Sequence, residues 1–245
     1  MSSQPPYAIL AVPIAIPRIT CATRESTLNY YGLVQSSIAS EASKFLASVT
    51  DAAEVEVSSA IDAFVLATQD DCIGAAEEKK ACWLTIRVTK PSTEFEVPRW
   101  HQDGRMFPYD EGREAIVRSK YALTLLGPTT LMLQPDAHAF KTCQEGETRH
   151  FWWQRTQGSE PAEEDIEQAY SKLRDWLADE LRDARRVRVG DGEVVRFSWG
   201  RDDSPVHSEP DLISDRVFVT VLYGSESEVR GMCDWRSAEY GKFDW

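Results

Sequence analysis

From Cys82 to Thr89 the chain alternates strictly, with Cys82, Leu84, Ile86 and Val88 on one side and Trp83, Thr85, Arg87 and Thr89 on the other. A period of two residues sends the two sets to opposite faces of a pleated strand. A strong apolar strand is predicted from about Arg216 to Tyr223, and another over Glu193–Trp199, just after the turn Gly190-Asp191-Gly192. Lys120–Leu126 and Thr129–Leu133, separated by Gly127-Pro128, read as a hairpin. The run from Tyr7 to Ile16 is interrupted by Pro13, followed by Pro17 and preceded by no basic region, so it reads as a strand and not as a leader.

Elsewhere the period is helical. Residues 36–50 place Ile38, Ala42, Phe45 and Leu46 on one face, and Ala60 to Ala67 predicts a second, short helix. The longest stripe runs over about 161–187, through Ile166, Ala169, Tyr170, Leu173, Trp176, Leu177 and Leu181. Glu163, Glu164 and Asp165 suit its first turn, and Arg182, Arg185 and Arg186 its last. Helices come first, then mostly strands with one helical insertion. That order predicts an α+β fold with an antiparallel core, because parallel units would need a helix between successive strands. One domain over 1–245 is expected, with scaffold helices and an N-terminal strand before residue 80, and a β core over 82–245 carrying the insertion at 161–187.

Charge and cysteine usage narrow the functional classes. With 27 Lys and Arg against 40 Asp and Glu the net charge is −13, which repels phosphate backbones and anionic membrane surfaces, so a nucleic-acid partner is not expected. No stretch approaches the roughly 18 unbroken apolar residues of a membrane span. The five cysteines are odd in number and lack CxxC spacing, which predicts free thiols in a reducing, cytoplasmic compartment.

The candidate chemistry gathers around two of the four histidines, His101 and His207; His138 and His150 read as exposed or capping residues. His101 and Asp103 follow a strand and lie two residues apart, so both side chains leave one face of an extended segment. Two imidazoles and one carboxylate on one face of an octahedron suit Fe(II) and leave three positions open. His207, in a loop between two strong strands, is the candidate third ligand, although His207-Ser208-Glu209 could supply a pair of its own. Nine residues on, Arg216 opens a strand whose Phe218, Thr220 and Leu222 share its face, and an arginine facing inward there needs an anion.

The run Trp100-His101-Gln102-Asp103, the later His207 and Arg216 a strand-length beyond resemble the HxD…H…R signature of Fe(II)/2-oxoglutarate-dependent oxygenases, and His-Gln-Asp resembles the phytanoyl-CoA hydroxylase branch. The resemblance covers roughly residues 82–224. It implies a double-stranded β-helix, the jelly roll shared with cupins, with flanking helices. It also implies Fe(II) held by His101, Asp103 and His207, with O2 and 2-oxoglutarate as co-substrates. Arg216 would pair with the distal carboxylate of 2-oxoglutarate. Many members carry Ser or Thr two residues after this arginine, where Phe218 stands here, so Thr124 or Lys120 is the candidate to complete the anion pocket. Trp100, Phe107, Tyr109, Trp199 and Trp235 would wall the site, and Arg105 and Arg201 would face an anionic substrate. The implied reaction oxidises a C–H bond of a small molecule, by hydroxylation, desaturation or cyclisation, with release of succinate and CO2. A cupin-like iron dioxygenase without 2-oxoglutarate, and a metal-free jelly-roll binding protein, are the competing readings.

Overall fold

The computed structural model describes residues 5, 7–35, 37–73, 75–103, 118–155, 161–199, 204–241, 243 and 245. In chain order the strands are β1 (Tyr7–Ile9), β2 (Ser26–Leu33), β3 (Ala81–Thr89), β4 (Arg118–Leu126), β5 (Leu131–Leu133), β6 (Arg186–Val187), β7 (Val195–Trp199), β8 (His207–Ser208) and β9 (Arg216–Gly224). The helices are α1 (Ser37–Val49), α2 (Glu54–Asp71), α3 (Ala137–His150), α4 (Glu163–Glu180) and α5 (Glu226–Tyr240). The fold is α+β, with every strand pairing antiparallel. One sheet has the order β1-β7-β4-β9-β3-β2 and the other β6-β5-β8.

The alternation along β3 decides the layering. Cys82, Leu84, Ile86 and Val88 are at most 1% exposed and pack with Ile38, Ala42 and Leu46 of α1 and Val57, Ile61 and Phe64 of α2. Each fully buried aliphatic or aromatic side chain of this kind contributes roughly 1.5–3 kcal/mol relative to exposure. At the end of α2, Asp71 accepts hydrogen bonds from Tyr121 Oη at 3.0 Å and Arg196 Nη1 at 2.9 Å, which fastens the helix to β4 and β7. The opposite face of the six-stranded sheet meets the small sheet, where Met132 packs with Ala122, Val195 and Phe197.

Several expectations are corrected. Lys120–Leu126 and Thr129–Leu133 are not a hairpin: β4 belongs to the six-stranded sheet and β5 to the three-stranded one. Gly127 between them has φ +81°, and a Cβ there would lie 2.2 Å from the Asp215 carbonyl oxygen, so this glycine lets the chain arch from sheet to sheet. The strand expected over 7–16 is regular only at Tyr7–Ile9, with single backbone bonds beyond it from Leu10 N to Val194 O and from Ile14 N to Gly192 O. The second helix runs well beyond 60–67, over Glu54–Asp71. The insertion is two helices, α3 and α4, and α4 ends at Glu180; Arg182 and Arg185 lie past it and Arg186 sits in β6. Small residues explain α3: Gly146 sits where a Cβ would come within 2.7 Å of Leu173 and 2.8 Å of Trp176 on α4. The C-terminal α5 begins with a capping box, in which Ser225 and Glu228 satisfy each other's backbone N–H.

Candidate metal centre

The site begins as a backbone pairing. His101 N donates to His207 O, and His207 N to His101 O, each at 2.9 Å. Directly opposed residues of an antiparallel pair send their side chains to the same face, and the two imidazole centroids stand 4.3 Å apart. Asp103, two residues beyond His101, returns to that face. Ligand atoms of His101, Asp103 and His207 all lie within 4.8 Å of one another. Gln102 donates through Nε2 to the Ser204 carbonyl at 2.7 Å, which ties the loop carrying Asp103 to the segment before β8.

The imidazoles are oriented by the main chain. His101 Nδ1 is 2.8 Å from the Arg99 carbonyl and His207 Nδ1 is 3.0 Å from that of Pro205. A carbonyl only accepts, so Nδ1 of each carries a hydrogen and Nε2 is the atom left to serve as a ligand. Burial pushes His207 down to about 4 against the pull of Asp103, so it is neutral at physiological pH. Asp103 is 4% exposed. Burial opposes its ionisation, but the Lys120 ammonium, 2.5 Å from Oδ2, and the nearby imidazoles hold it well below the usual carboxylate range. Two imidazole Nε2 atoms and one carboxylate form a donor set that fits a divalent first-row metal.

These groups open onto a cavity of about 940 Å³, which Arg216 also lines. Arg216 is 3% exposed; its Nε donates to the Pro128 carbonyl at 2.9 Å and its Nη2 to Thr130 Oγ1 at 3.1 Å, with Phe218 stacked 4.1 Å beneath the guanidinium. Burial draws it down to about 10, with Glu209 pulling the other way, so it remains charged at neutral pH. Among the described residues no carboxylate lies within ion-pair distance of it. Burying a cation beside only a carbonyl and a hydroxyl is costly, and an anion in the cavity would offset that cost.

The other expected residues divide. Lys120 is in the site, paired with Asp103 and 4.9 Å from the Phe197 ring. Thr124 faces a small adjoining pocket that it shares with His207, Thr130 and Phe218. Trp100 lines the cavity and packs on Leu133, Leu177 and Val206. Trp235 packs instead beside Tyr31 and Phe243. Trp199 closes β7 by its backbone, while Arg105, Phe107, Tyr109 and Arg201, with the Trp199 side chain, fall outside the described residues. Glu209 Oε1 pairs with Arg99 at 2.8 Å, and among the described residues His207 groups with His101 and Asp103, not with Glu209. Sequence reasoning missed Thr130, the hydroxyl that meets Arg216. It lies between the Gly127-Pro128 arch and β5, where no periodicity marks a residue.

Neither the models of known protein families nor the curated proteins include a match to this chain.

Proposed function

We propose that this protein is an Fe(II)- and 2-oxoglutarate-dependent oxygenase acting on a C–H bond of a small molecule. The observation that carries the reading is the convergence of His101, Asp103 and His207 within 4.8 Å at the wall of a cavity that also receives Arg216. The proposed framework is a jelly roll. In its support, the chain passes from β3 in the large sheet to the His101 pairing beside β8, to β4 in the large sheet, to β5 and β6 in the small one, and then by turns through β7, β8 and β9. The five free thiols fit a reducing, cytoplasmic setting, and among the described residues no helix is long and apolar enough to cross a membrane.

When bound, Fe(II) and 2-oxoglutarate would supply the electrons and the O2 chemistry of the reaction. The chain's own part is positioning. The Arg99 and Pro205 carbonyls hold the imidazoles, and Asp103 adds the negative charge that selects a cation. Pro128 and Thr130 fix the plane of the Arg216 guanidinium, so that its remaining N–H groups can meet a carboxylate without reorganisation. Phe197 and Phe218 line the wall beside it and exclude water from the reacting carbon.

One contact favours a second reading. The Lys120 ammonium already compensates buried Asp103, as a metal-free binding protein on the same framework would require. Calorimetric titration with Mn(II), an oxygen-insensitive stand-in, separates the two. Stoichiometric binding that His101→Ala and Asp103→Ala each abolish, with circular dichroism unchanged, supports the oxygenase; no binding by the parent, or equal binding by the variants, overturns it.

A further inference from the structure

The cavity has the opposite charge to the chain. Against a net −13, its described walls carry Arg87, Arg99, Lys120, Arg174, Arg216 and Arg236 but only Asp103, Glu147 and Glu209. Most of these cations have work within the fold. Lys120 meets Asp103, and Arg99 holds Glu209 at 2.8 Å. Arg174 donates to the carbonyls of Glu94 and Val97, and Arg236 lies 4.5 Å over the Trp83 ring. Arg216 is assigned to the co-substrate. Arg87 is different: its side chain is 47% exposed, and among the described residues its ionic contact is a 3.8 Å approach to the carboxylate that Arg99 already holds.

Beside Arg87 the floor of the cavity offers a second donor. In the pairing of β2 with β3, Thr27 stands opposite Arg87 and Asn29 opposite Thr85. Asn29 receives the Trp83 indole N–H at 3.1 Å and the Thr85 hydroxyl at 3.1 Å. An indole nitrogen only donates, so the receiving atom is Oδ1, and the amide Nδ2 is what Asn29 has left to offer the cavity it lines. Between these donors and the metal ligands the floor carries Trp83, Leu222 and Phe218, with Thr220 the polar residue among them.

We propose that the cavity takes a carboxylic acid on an apolar body, its carboxylate held by Arg87 and the Asn29 amide and its body laid over Trp83, Leu222 and Phe218 toward His101 and Asp103. The identification of this acid as the substrate rests on the oxygenase reading; its binding does not. The sheet supplies a ruler. Lys120, in contact with Asp103, stands on β4 and Arg87 on β3, with β9 between them. Arg87 stands opposite Phe218 of β9 and Lys120 opposite Leu222. The two positions are two strand spacings, about 10 Å, apart across the sheet and four residues, about 13 Å, apart along it, roughly 16 Å in all before the inward reach of both side chains. The acid must therefore span on the order of 10 Å or more from its carboxylate. That span suits a medium-chain or two-ring acid and not a two- or three-carbon one.

The test uses biphenyl-4-carboxylate and its neutral primary amide, titrated calorimetrically into the full-length, metal-free protein, so that failure of the metal reading cannot disguise the result. The acid is expected to bind at least tenfold more tightly than the amide. Arg87→Gln should remove that preference by weakening the acid alone, and Asn29→Ala should weaken both ligands. Mn(II) binding, measured separately in Arg87→Gln, should match the parent. No binding of the acid, equal binding of acid and amide, or a preference that survives Arg87→Gln overturns the proposal. So does a preference lost in Arg216→Met but retained in Arg87→Gln, because the acid then sits in the co-substrate corner.

Discussion

On β3, Leu84 and Ile86 point into the layer of α1 and α2 and are fully buried, whereas Trp83, Thr85 and Arg87, each one residue away, line the cavity. Both faces come from one backbone and one hydrogen-bond register. On the helix side Leu84 and Ile86 belong to one large apolar cluster with α1 and α2, and close-packed volume sets the stability. On the cavity side, among the described residues, Thr85 donates to Asn29 and Arg87 makes one long ionic contact. The difference teaches that stability and binding can be separated by a shift of one residue along a strand.

The strongest way to break that comparison is Leu84→Asp. It buries an unpaired carboxylate where exposure is now zero and should cost about 4 kcal/mol or more, enough to unfold a marginally stable domain. Arg87→Gln, three residues on and facing the cavity, should change stability by no more than about 0.5 kcal/mol. Urea unfolding midpoints that fall equally for both variants would abolish the distinction.

Next in size is Arg216→Met. If Arg216 pairs with the distal carboxylate of 2-oxoglutarate as proposed, loss of the guanidinium leaves that carboxylate desolvated without compensation, a loss of roughly 2–5 kcal/mol, or about 30-fold to several thousand-fold in affinity. Metal stoichiometry should be unchanged, and a calorimetric titration of 2-oxoglutarate at fixed Mn(II) checks both.

Acidification should expose the cost of the buried imidazole. His207 falls to about 4 in the fold from 6.5 when unfolded, so between those values the unfolded chain binds the extra proton. Stability of the metal-free protein is therefore full above pH 6.5 and declines as pH falls toward 4. The decline from this group is on the order of 3 kcal/mol, readable as a drop in urea midpoint that His207→Gln should reduce. The smallest effect is that of Thr130→Val, which removes one acceptor from Arg216. It should weaken 2-oxoglutarate by about fivefold, roughly 1 kcal/mol, with the unfolding midpoint unmoved.

What could be read from the sequence follows the strength of its periodicities. The alternation of β3, the apolar run of β9 and the stripe of α1 each bury one clear face, and each appears where its pattern placed it. Helix α3 buries Ala139, Thr142, Cys143 and Gly146, small residues that leave almost no hydrophobic stripe to detect. Helix α5 did leave a signal, Ser225 followed three residues later by Glu228, a capping box at the head of a weakly apolar helix. The arch at Gly127-Pro128 looks like a hairpin because local turn chemistry does not say which sheet receives the next strand. In the site, the two-residue spacing of His101 and Asp103 was legible because it is local. The pairing of His101 with His207 is long-range, and so is the meeting of Arg216 with Thr130, 86 residues apart.

The central claim is that His101, Asp103 and His207 hold an iron to which 2-oxoglutarate coordinates. An anaerobic titration of the purified protein with Fe(II), followed by 2-oxoglutarate and monitored by visible absorption, tests it most directly. The account predicts one Fe(II) per chain and a charge-transfer band that develops with 2-oxoglutarate, both lost in Asp103→Ala. Absence of stoichiometric iron in the parent protein, or an undiminished band in Asp103→Ala, would contradict it.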